Sequence, residues 1–270
     1  MGDGDRMGKC VAGAKKAEDH ASISRQLAAF ADEAIETVRN HRGHMLYAGG
    51  EDILALLPLS AIIDAPRMLA GVFKGKIDEL FIEDVDQSPT LRVGVAVCHV
   101  LEPLGRIRQY ADEAEKYAKG EAGTNNQGNA LGLRLHVRVG HDIPVRISFD
   151  DVEGFESLAA WKDAYGKGKF PGRLAYDTRA IGERCKKMRY SDDVAAAEFK
   201  RLHQRARDSV PEALRDKELW QRLEERAKKL SETRKGQSDG FSQALIDLGN
   251  ELVLSRWAAA KKAAEVGERS

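Results

Sequence analysis

Apolar residues recur at two different spacings in the first 150 residues of the chain. Where they recur every three or four positions they predict an amphipathic helix, and where they alternate with polar residues they predict a strand. The pattern predicts helices over residues 21–39, 59–75 (bent at Pro66) and 103–119, and strands over residues 91–100, 131–137 and 144–149. Residues 84–89 and 120–128 are polar or glycine-rich and are predicted to be loops.

The segment 45–57 is the feature around which this part of the chain is organised. Two apolar runs flank Gly49-Gly50-Glu51-Asp52, an arrangement that predicts a β-hairpin. Both glycines leave the backbone open to a ligand, and a positive φ costs them little. Two adjacent carboxylates follow them at the tip. Such a tip suits a metal–nucleotide site, and the alternative interpretation is a solvated turn.

The first residues of the chain combine glycine with charge. Residues 3–9 contain two acids, two glycines and two bases, and they are predicted to form a loop that lacks the strand normally leading into it. Gly4 would let the backbone approach a ligand closely. A frayed polar terminus is the alternative. With a strand supplied before Asp3, the element order becomes β-α-β-β-α-β, the ferredoxin-like split βαβ arrangement with additional elements.

The strand pattern ends after Phe149, and strong helix formers dominate the rest of the chain. Helical spacing recurs over residues 151–166, 171–190, 192–208, 210–234 and 238–266. The residues expected to form the core of a helical bundle are Trp161, Leu174, Leu202, Trp220, Leu223, Leu245, Leu248, Leu252 and Trp257. The predicted fold class is therefore α+β, with a ferredoxin-like domain over residues 1–149 that lacks its first strand and an all-helical bundle domain over residues 150–270.

Charge and cysteine content exclude several classes of protein. Residues 1–150 carry 18 Lys and Arg against 22 Asp and Glu, and residues 151–270 carry 25 against 21, so net charge gives no general attraction to nucleic acid or membranes. Three widely separated cysteines argue against a disulfide framework or a structural zinc site and fit a reducing cytoplasm. No apolar run approaches the roughly 18 residues of a membrane helix, and no signal peptide is recognisable. A soluble, cytoplasmic protein is expected.

The acids of the two glycine-rich segments are expected to meet. In a ferredoxin-like sheet the end of the first strand lies beside the tip of the central hairpin, so Asp3 and Asp5 would approach Glu51 and Asp52. Carboxylate oxygens suit Mg²⁺ or Mn²⁺ rather than zinc. Two such ions can activate a ribose hydroxyl and neutralise the charge that develops on a triphosphate. A metal–nucleotide site at these four residues is therefore predicted.

Four stretches together resemble the large, polymerase/cyclase-like subunit of type III CRISPR effector complexes, especially the III-B form. They occur in the family's order over about residues 3–139, whereas the helical remainder is similar only in position and character to the family's C-terminal helical domain. The stretches are Asp3-Gly4-Asp5-Arg6-Met7-Gly8-Lys9, residues 47–58 with the glycine–acid hairpin, residues 93–104, and residues 111–119 with 128–131.

The resemblance implies a catalytic palm domain. In the family this palm binds ATP and, when the complex holds target RNA, joins ATP molecules into cyclic oligoadenylate by two-metal nucleotidyl transfer in antiviral defence. Carried over by position, Asp3, Glu51 and Asp52 would hold Mg²⁺ or Mn²⁺, with Asp5 a weaker candidate. Glu51 and Asp52 would be the catalytic pair.

The resemblance also implies contacts to the nucleotide and to partners. Gly49 and Gly50 would contact the nucleotide, and Lys119 would meet the triphosphate. Without the resemblance, Lys119 is interpreted as a solvated lysine at a helix end. The implied partners are the other subunits of the type III effector and, through the complex, crRNA and target RNA, with no membrane involved.

The chain departs from the family in three respects. Glu51 stands at a position that is usually aspartate, and its longer side chain can shift a bound metal. The segment Gln127-Gly128-Asn129 lacks the arginine that often precedes the asparagine. The chain also has no nuclease domain, first palm or zinc-binding insertion. It is therefore expected to be a C-terminal fragment, the product of a split gene or a truncated form, and to be inactive without the missing half.

Two other functions stay open at this point. A diguanylate cyclase shares the Gly-Gly-Glu-acid turn and the Ala-Asp…Ala-Lys pattern of residues 111–119. However, Ile53 stands where that signature has phenylalanine, and no Arg-x-x-Asp motif precedes Gly49. A non-catalytic scaffold would use the palm and the bundle only to hold neighbouring subunits around crRNA.

Overall fold

The computed structural model describes residues 1–78, 80, 88–120, 127–136, 143–234 and 240–267. The predicted loops over residues 84–89 and 120–128 lie largely outside these ranges. The chain divides into two compact units, residues 1–151 and residues 152–270. In the described part of the chain, no helix is both long enough and apolar enough to cross a membrane.

The first unit is a layered α+β structure. Its strands are β1 (Gly2–Asp5), β2 (His44–Gly49), β3 (Asp52–Leu56), β4 (Thr90–Val97), β5 (Ala130–Leu135) and β6 (Ile143–Ser148). Its helices are α1 (Met7–Gly13), α2 (Ala17–Asn40), α3 (Asp64–Asp78) and α4 (Leu104–Lys119). The helix predicted over residues 59–75 is thus a short 3₁₀ turn, Leu59–Ala61, followed by α3. Pro66 does not interrupt α3, because it lies in the first turn, where its missing N–H has no helical partner to lose.

The strand order confirms the predicted fold class. The six strands form one sheet in the order β2-β3-β1-β4-β5-β6. The first four strands all pair antiparallel, which is the split βαβ arrangement. β5 extends this sheet parallel to β4 after the crossover helix α4, and β6 follows antiparallel.

The first strand is present, contrary to the sequence prediction. The predicted loop over residues 3–9 is wrong, because Gly2–Asp5 forms β1 and Met7–Gly13 forms α1. β1 is central in the sheet and pairs with β3 on one side and β4 on the other. Its Gly-Asp-Gly-Asp sequence has no apolar residue by which alternation could be recognised. The glycine is needed for packing, since a Cβ at Gly2 would lie 2.8 Å from Cγ1 of Ile53.

Two glycines let α4 lie directly on the sheet. Gly94 of β4 and Gly132 of β5 are partners in the parallel register. A Cβ at Gly94 would lie 2.6 Å from the carbonyl carbon of Ala114, and one at Gly132 would lie 2.7 Å from the backbone N of Ala118. Both alanines are fully buried. The backbone of α4 therefore rests in a notch that any side chain at these strand positions would fill.

Helices are the only regular secondary structure in the described residues of the second unit. Its helices are α5 (Val152–Gly166), α6 (Leu174–Met188), α7 (Asp192–Asp208), α8 (Lys217–Glu232) and α9 (Gly240–Gly267). The helix predicted over residues 210–234 is divided, because a 3₁₀ turn at Glu212–Leu214 precedes α8. Asp216 then caps α8 by accepting the N–H of Leu219 at 3.3 Å.

The core of the second unit forms around α9. Eight of the nine predicted core residues are buried, and Trp257 is half-buried. α6 approaches α9 closely because Gly182 and Gly249 carry no side chains at their interface; a Cβ at Gly249 would lie 2.7 Å from the backbone N of Arg179. Between α8 and α9, Arg226 and Glu251 form an ion pair at 2.6 Å with side chains 4% and 3% exposed.

His203 makes the stability of this unit depend on pH. Burial lowers the pKa of His203 below its ordinary value, an effect that the charge of Glu224, 2.9 Å away, opposes. The unfolded chain therefore takes up the proton first as pH falls below about 6.5, and stability is lost between that pH and the lowered folded pKa. We expect the unfolding free energy to be up to about 1 kcal/mol lower at pH 5.5 than at pH 7.5 through this residue.

Denaturant titrations followed by tryptophan fluorescence measure this effect, because Trp161, Trp220 and Trp257 all lie in the second unit. The matched variant is His203→Gln, which keeps a donor for the carbonyl of Trp220 that the imidazole contacts at 3.2 Å. Its stability should change less between the two pH values than that of the unmodified chain. An equal change in both proteins would show that His203 is not responsible.

Candidate active site

The hairpin between β2 and β3 is a tight two-residue connection. Gly49 pairs with Asp52, so Gly50 and Glu51 form the turn. Gly50 has a φ of 66°, whereas Glu51 does not have a positive φ. A glycine with positive φ at the first turn position is the requirement of a type II′ hairpin. The local sequence therefore explains why the two carboxylates are displayed at the tip.

The end of β1 touches this tip, as the sequence predicts. A Cβ at Gly4 would lie 2.9 Å from Cβ of Glu51 and 2.7 Å from Cγ of Met7. Only glycine allows this close approach. Gly4 thus brings the strand that carries Asp3 and Asp5 against the turn that carries Glu51.

Arg92 engages the two acids of β1. It lies on β4 directly opposite Asp3 in the antiparallel register. Its guanidinium forms ion pairs with Asp3, with Asp5 at 2.6 Å and with Glu115 of α4. The side chains of Arg92, Asp5 and Glu115 are 10%, 7% and 9% exposed, whereas that of Asp3 is 29% exposed. Three carboxyl groups therefore share one buried cation.

Asp5 is a buried structural carboxylate rather than an available ligand. Besides Arg92, it accepts the N–H of Asn129 at 3.0 Å and the hydroxyl of Thr90 at 3.3 Å. A Cβ at Gly128 would lie 2.8 Å from Oδ1 of Asp5, so the turn wraps closely around it. Burial raises the pKa of Asp5 above its ordinary value, and the N–H of Asn129 opposes this. Because its oxygens are occupied, Asp5 does not fit the predicted role of metal ligand.

Three of the predicted ligands fit a hard divalent cation by their chemistry and access. Asp3 and Glu51 are partly exposed, and Asp52 is exposed. Their oxygens are of the kind that Mg²⁺ and Mn²⁺ prefer. Within the described ranges, however, no three His, Cys, Asp or Glu side chains are placed to hold a metal ion. The strands are brought together, while Asp3, Glu51 and Asp52 do not form such a group of ligands.

Tyr47 covers one of the site glycines. A Cβ at Gly49 would lie 2.6 Å from Cζ of Tyr47, so glycine is what allows the ring to lie over the strand. The tyrosine is 55% exposed and therefore presents an aromatic surface beside the tip. The sequence analysis did not select Tyr47, although an aromatic residue two positions before the glycine pair was a usable signal.

Lys119 is exposed at the last position of α4. Its carbonyl accepts the N–H of Gly128 at 2.8 Å. Arg146 reinforces this helix end by donating to the carbonyls of Ala118 at 3.0 Å and Gly128 at 3.2 Å. The turn that wraps Asp5 therefore also holds the end of α4, which fixes the backbone from which Lys119 projects.

Arg92 and Glu115 are two further site residues that sequence reasoning missed. A usable signal was present for each. Arg92 is the one charged residue in the apolar run of residues 91–98, and Glu115 shares the buried helix face with Ala111 and Ala118 at helical spacing. A charge inside a buried strand normally requires a partner.

The fold and the site together define a class of protein. A split βαβ sheet whose first strand carries Asp-x-Asp and ends beside a Gly-Gly-acid-acid hairpin is a palm domain of the polymerase and cyclase kind. Residues 1–127 match the family model of the second palm domain of Cas10/Cmr2. This confirms the resemblance noted from the motifs: the region is a palm of the Cas10/Cmr2-like large subunit of type III effectors.

A curated relative is similar to part of this chain. The CRISPR system CMR subunit Cmr2 of Saccharolobus solfataricus is 35% identical over 69 residues, which are 24% of this chain and 7% of that protein. The match therefore covers only a small part of the relative's length.

Proposed function

We propose that residues 1–151 are the catalytic palm of a type III CRISPR effector large subunit that converts ATP to cyclic oligoadenylate in antiviral defence. The observation that carries this proposal is the contact between Gly4 and Glu51, which brings the end of β1 against the glycine–acid hairpin. The match to the second palm domain of Cas10/Cmr2 supports it. The proposed partners are the other subunits of the effector, a first palm domain of the large subunit and, through the complex, crRNA and target RNA.

In the proposed site, Asp3, Glu51 and Asp52 would hold Mg²⁺ or Mn²⁺. When bound, these ions would activate a ribose hydroxyl and neutralise charge on the triphosphate. Gly49 and Gly50 would contact the nucleotide. The backbone of Gly50 is open to phosphate oxygens, whereas the ring of Tyr47 lies over Gly49.

Lys119 supplies a mobile positive charge at a fixed helix end for the polyphosphate. Its side chain is exposed, while its backbone is held by the turn at Gly128. It would orient the nucleotide without taking part in proton transfer.

The proposal predicts metal-dependent binding of ATP. The unmodified chain should bind ATP in the presence of Mn²⁺ or Mg²⁺, measured by calorimetry, and Glu51→Ala/Asp52→Ala should abolish this binding because it removes both carboxylates of the tip. The matched control is Asp163→Ala/Asp208→Ala, which removes two exposed acids of the helical unit and should bind as before.

The other outcomes separate the rival functions. Preference for GTP over ATP would favour a diguanylate-cyclase-like enzyme. No nucleotide binding, even with a first palm domain of a Cas10/Cmr2-like subunit supplied in trans, would contradict the catalytic proposal. That result would leave a non-catalytic scaffold of the same complex, a function favoured by the ion pairs that occupy Asp3 and Asp5.

A further inference from the structure

Arg92 is a cation already in place at the proposed metal site. Its guanidinium is bound to Asp3, Asp5 and Glu115, and little of it reaches solvent. A divalent ion at Asp3 would share a carboxylate with this fixed positive charge. Because like charges repel strongly at such short range in a buried environment, Arg92 and a metal compete for Asp3.

The three acids differ in how easily they can leave Arg92. Asp5 and Glu115 are almost fully enclosed, whereas Asp3 is 29% exposed. If Asp3 turned away, Arg92 would still have two buried carboxylates to neutralise it. Asp3 is therefore the exchangeable partner of this cluster.

We propose that Arg92 sets the metal affinity of the palm. Its guanidinium occupies Asp3 in the absence of metal, and a divalent cation binds only as Asp3 turns from Arg92 towards Glu51 and Asp52. Arg92 is thus a positioning residue that acts through Asp3. This inference rests on the metal site of the proposed function.

Mn²⁺ titration followed by the electron paramagnetic resonance of the unbound ion tests the inference without requiring catalysis. The test variant is Arg92→Gln/Glu115→Gln, in which two neutral amides replace one ion pair and can still hydrogen-bond. We expect it to bind Mn²⁺ on the order of tenfold more tightly than the unmodified chain, because the competing charge is gone. Adding Asp3→Asn should remove that gain.

The chain offers a matched control on the same helix. Arg134 and Glu113 form an ion pair at 3.1 Å between β5 and α4. Arg134→Gln/Glu113→Gln makes the same chemical change there, and its Mn²⁺ affinity should equal that of the unmodified chain.

Equal or weaker Mn²⁺ binding in the Arg92→Gln/Glu115→Gln variant, with binding intact in the unmodified chain, would overturn this inference alone. Absence of Mn²⁺ binding in both proteins would overturn the metal site and the inference together. If circular dichroism shows that the double variant does not fold, the single variant Glu115→Gln is titrated with Mn²⁺ instead. It leaves Arg92 with one partner fewer and should weaken Mn²⁺ binding, and unchanged or tighter binding there would overturn the inference.

Discussion

Replacing Asp3 with asparagine is expected to weaken Mn²⁺ binding by at least about tenfold, because one of three charged oxygen ligands is lost. The same change at Asp5 is expected to weaken Mn²⁺ binding less, because Asp5 acts on the metal only through Arg92, which loses one of its carboxylate partners. Asp5→Asn should mainly lower the unfolding free energy of the first unit, by about 1–3 kcal/mol, since an amide nitrogen would replace one of the two oxygens that accept from Arg92, Thr90 and Asn129 and would leave a buried donor unpaired. The two aspartates of one motif therefore have separable roles.

Each aspartate serves as the control for the other. Mn²⁺ titration reports the ligand role, and hydrogen exchange of the β1 and β4 amides reports the structural role. Two results would contradict this division: an equal loss of Mn²⁺ affinity in both variants, or an Asp5→Asn protein as stable as the unmodified chain.

A second large effect is expected at Gly94. In Gly94→Ala the new methyl group would lie 2.6 Å from the carbonyl carbon of Ala114, against helix backbone that has no rotamer by which to move aside. α4 must shift from the sheet, and its burial against β4 and β5 is lost. We expect the unfolding free energy of the first unit to fall by about 3 kcal/mol or more, with faster hydrogen exchange along α4.

Gly71 provides the comparison for this change. It lies within α3, and a Cβ there would meet no atom within 4 Å. Gly71→Ala should be neutral or stabilise the unit by roughly 0.5–1 kcal/mol, because alanine loses less backbone entropy in a helix. If Gly94→Ala behaved like Gly71→Ala in hydrogen exchange, the notch beneath α4 would not restrict side-chain size.

Much of the fold was predictable because its signals are local. Helical spacing identified α2 and α4, and alternation identified β5. The hairpin was predicted because its turn type depends on residues adjacent in the chain, and Gly50 meets that requirement. Strand β1 was missed because Gly-Asp-Gly-Asp has no local pattern of a strand; its partners on β4 are more than 80 residues away.

In the candidate site, too, the features with local sequence signals were predictable and those that depend on distant segments were not. The acids and glycines were identifiable from their types and order, as was the meeting of Gly4 with the hairpin. The environment of these acids could not be identified from the sequence, because it depends on Arg92. Only the pairing of β1 with β4 places Arg92 opposite Asp3. Asp5 was predicted as a metal ligand and is instead enclosed by a turn 124 residues further along.

The sequence by itself determined most of the element types, the α+β class, the palm motifs and the hairpin that displays Glu51 and Asp52. Each of these depends on spacing or turn chemistry within a short segment. Only the tertiary structure decided that β1 is central, that α4 rests on two glycines and that Arg92 joins Asp3 to Asp5. These features arise where distant segments pack, and the charge or space available to a residue there is set by neighbours that its own stretch of sequence does not contain.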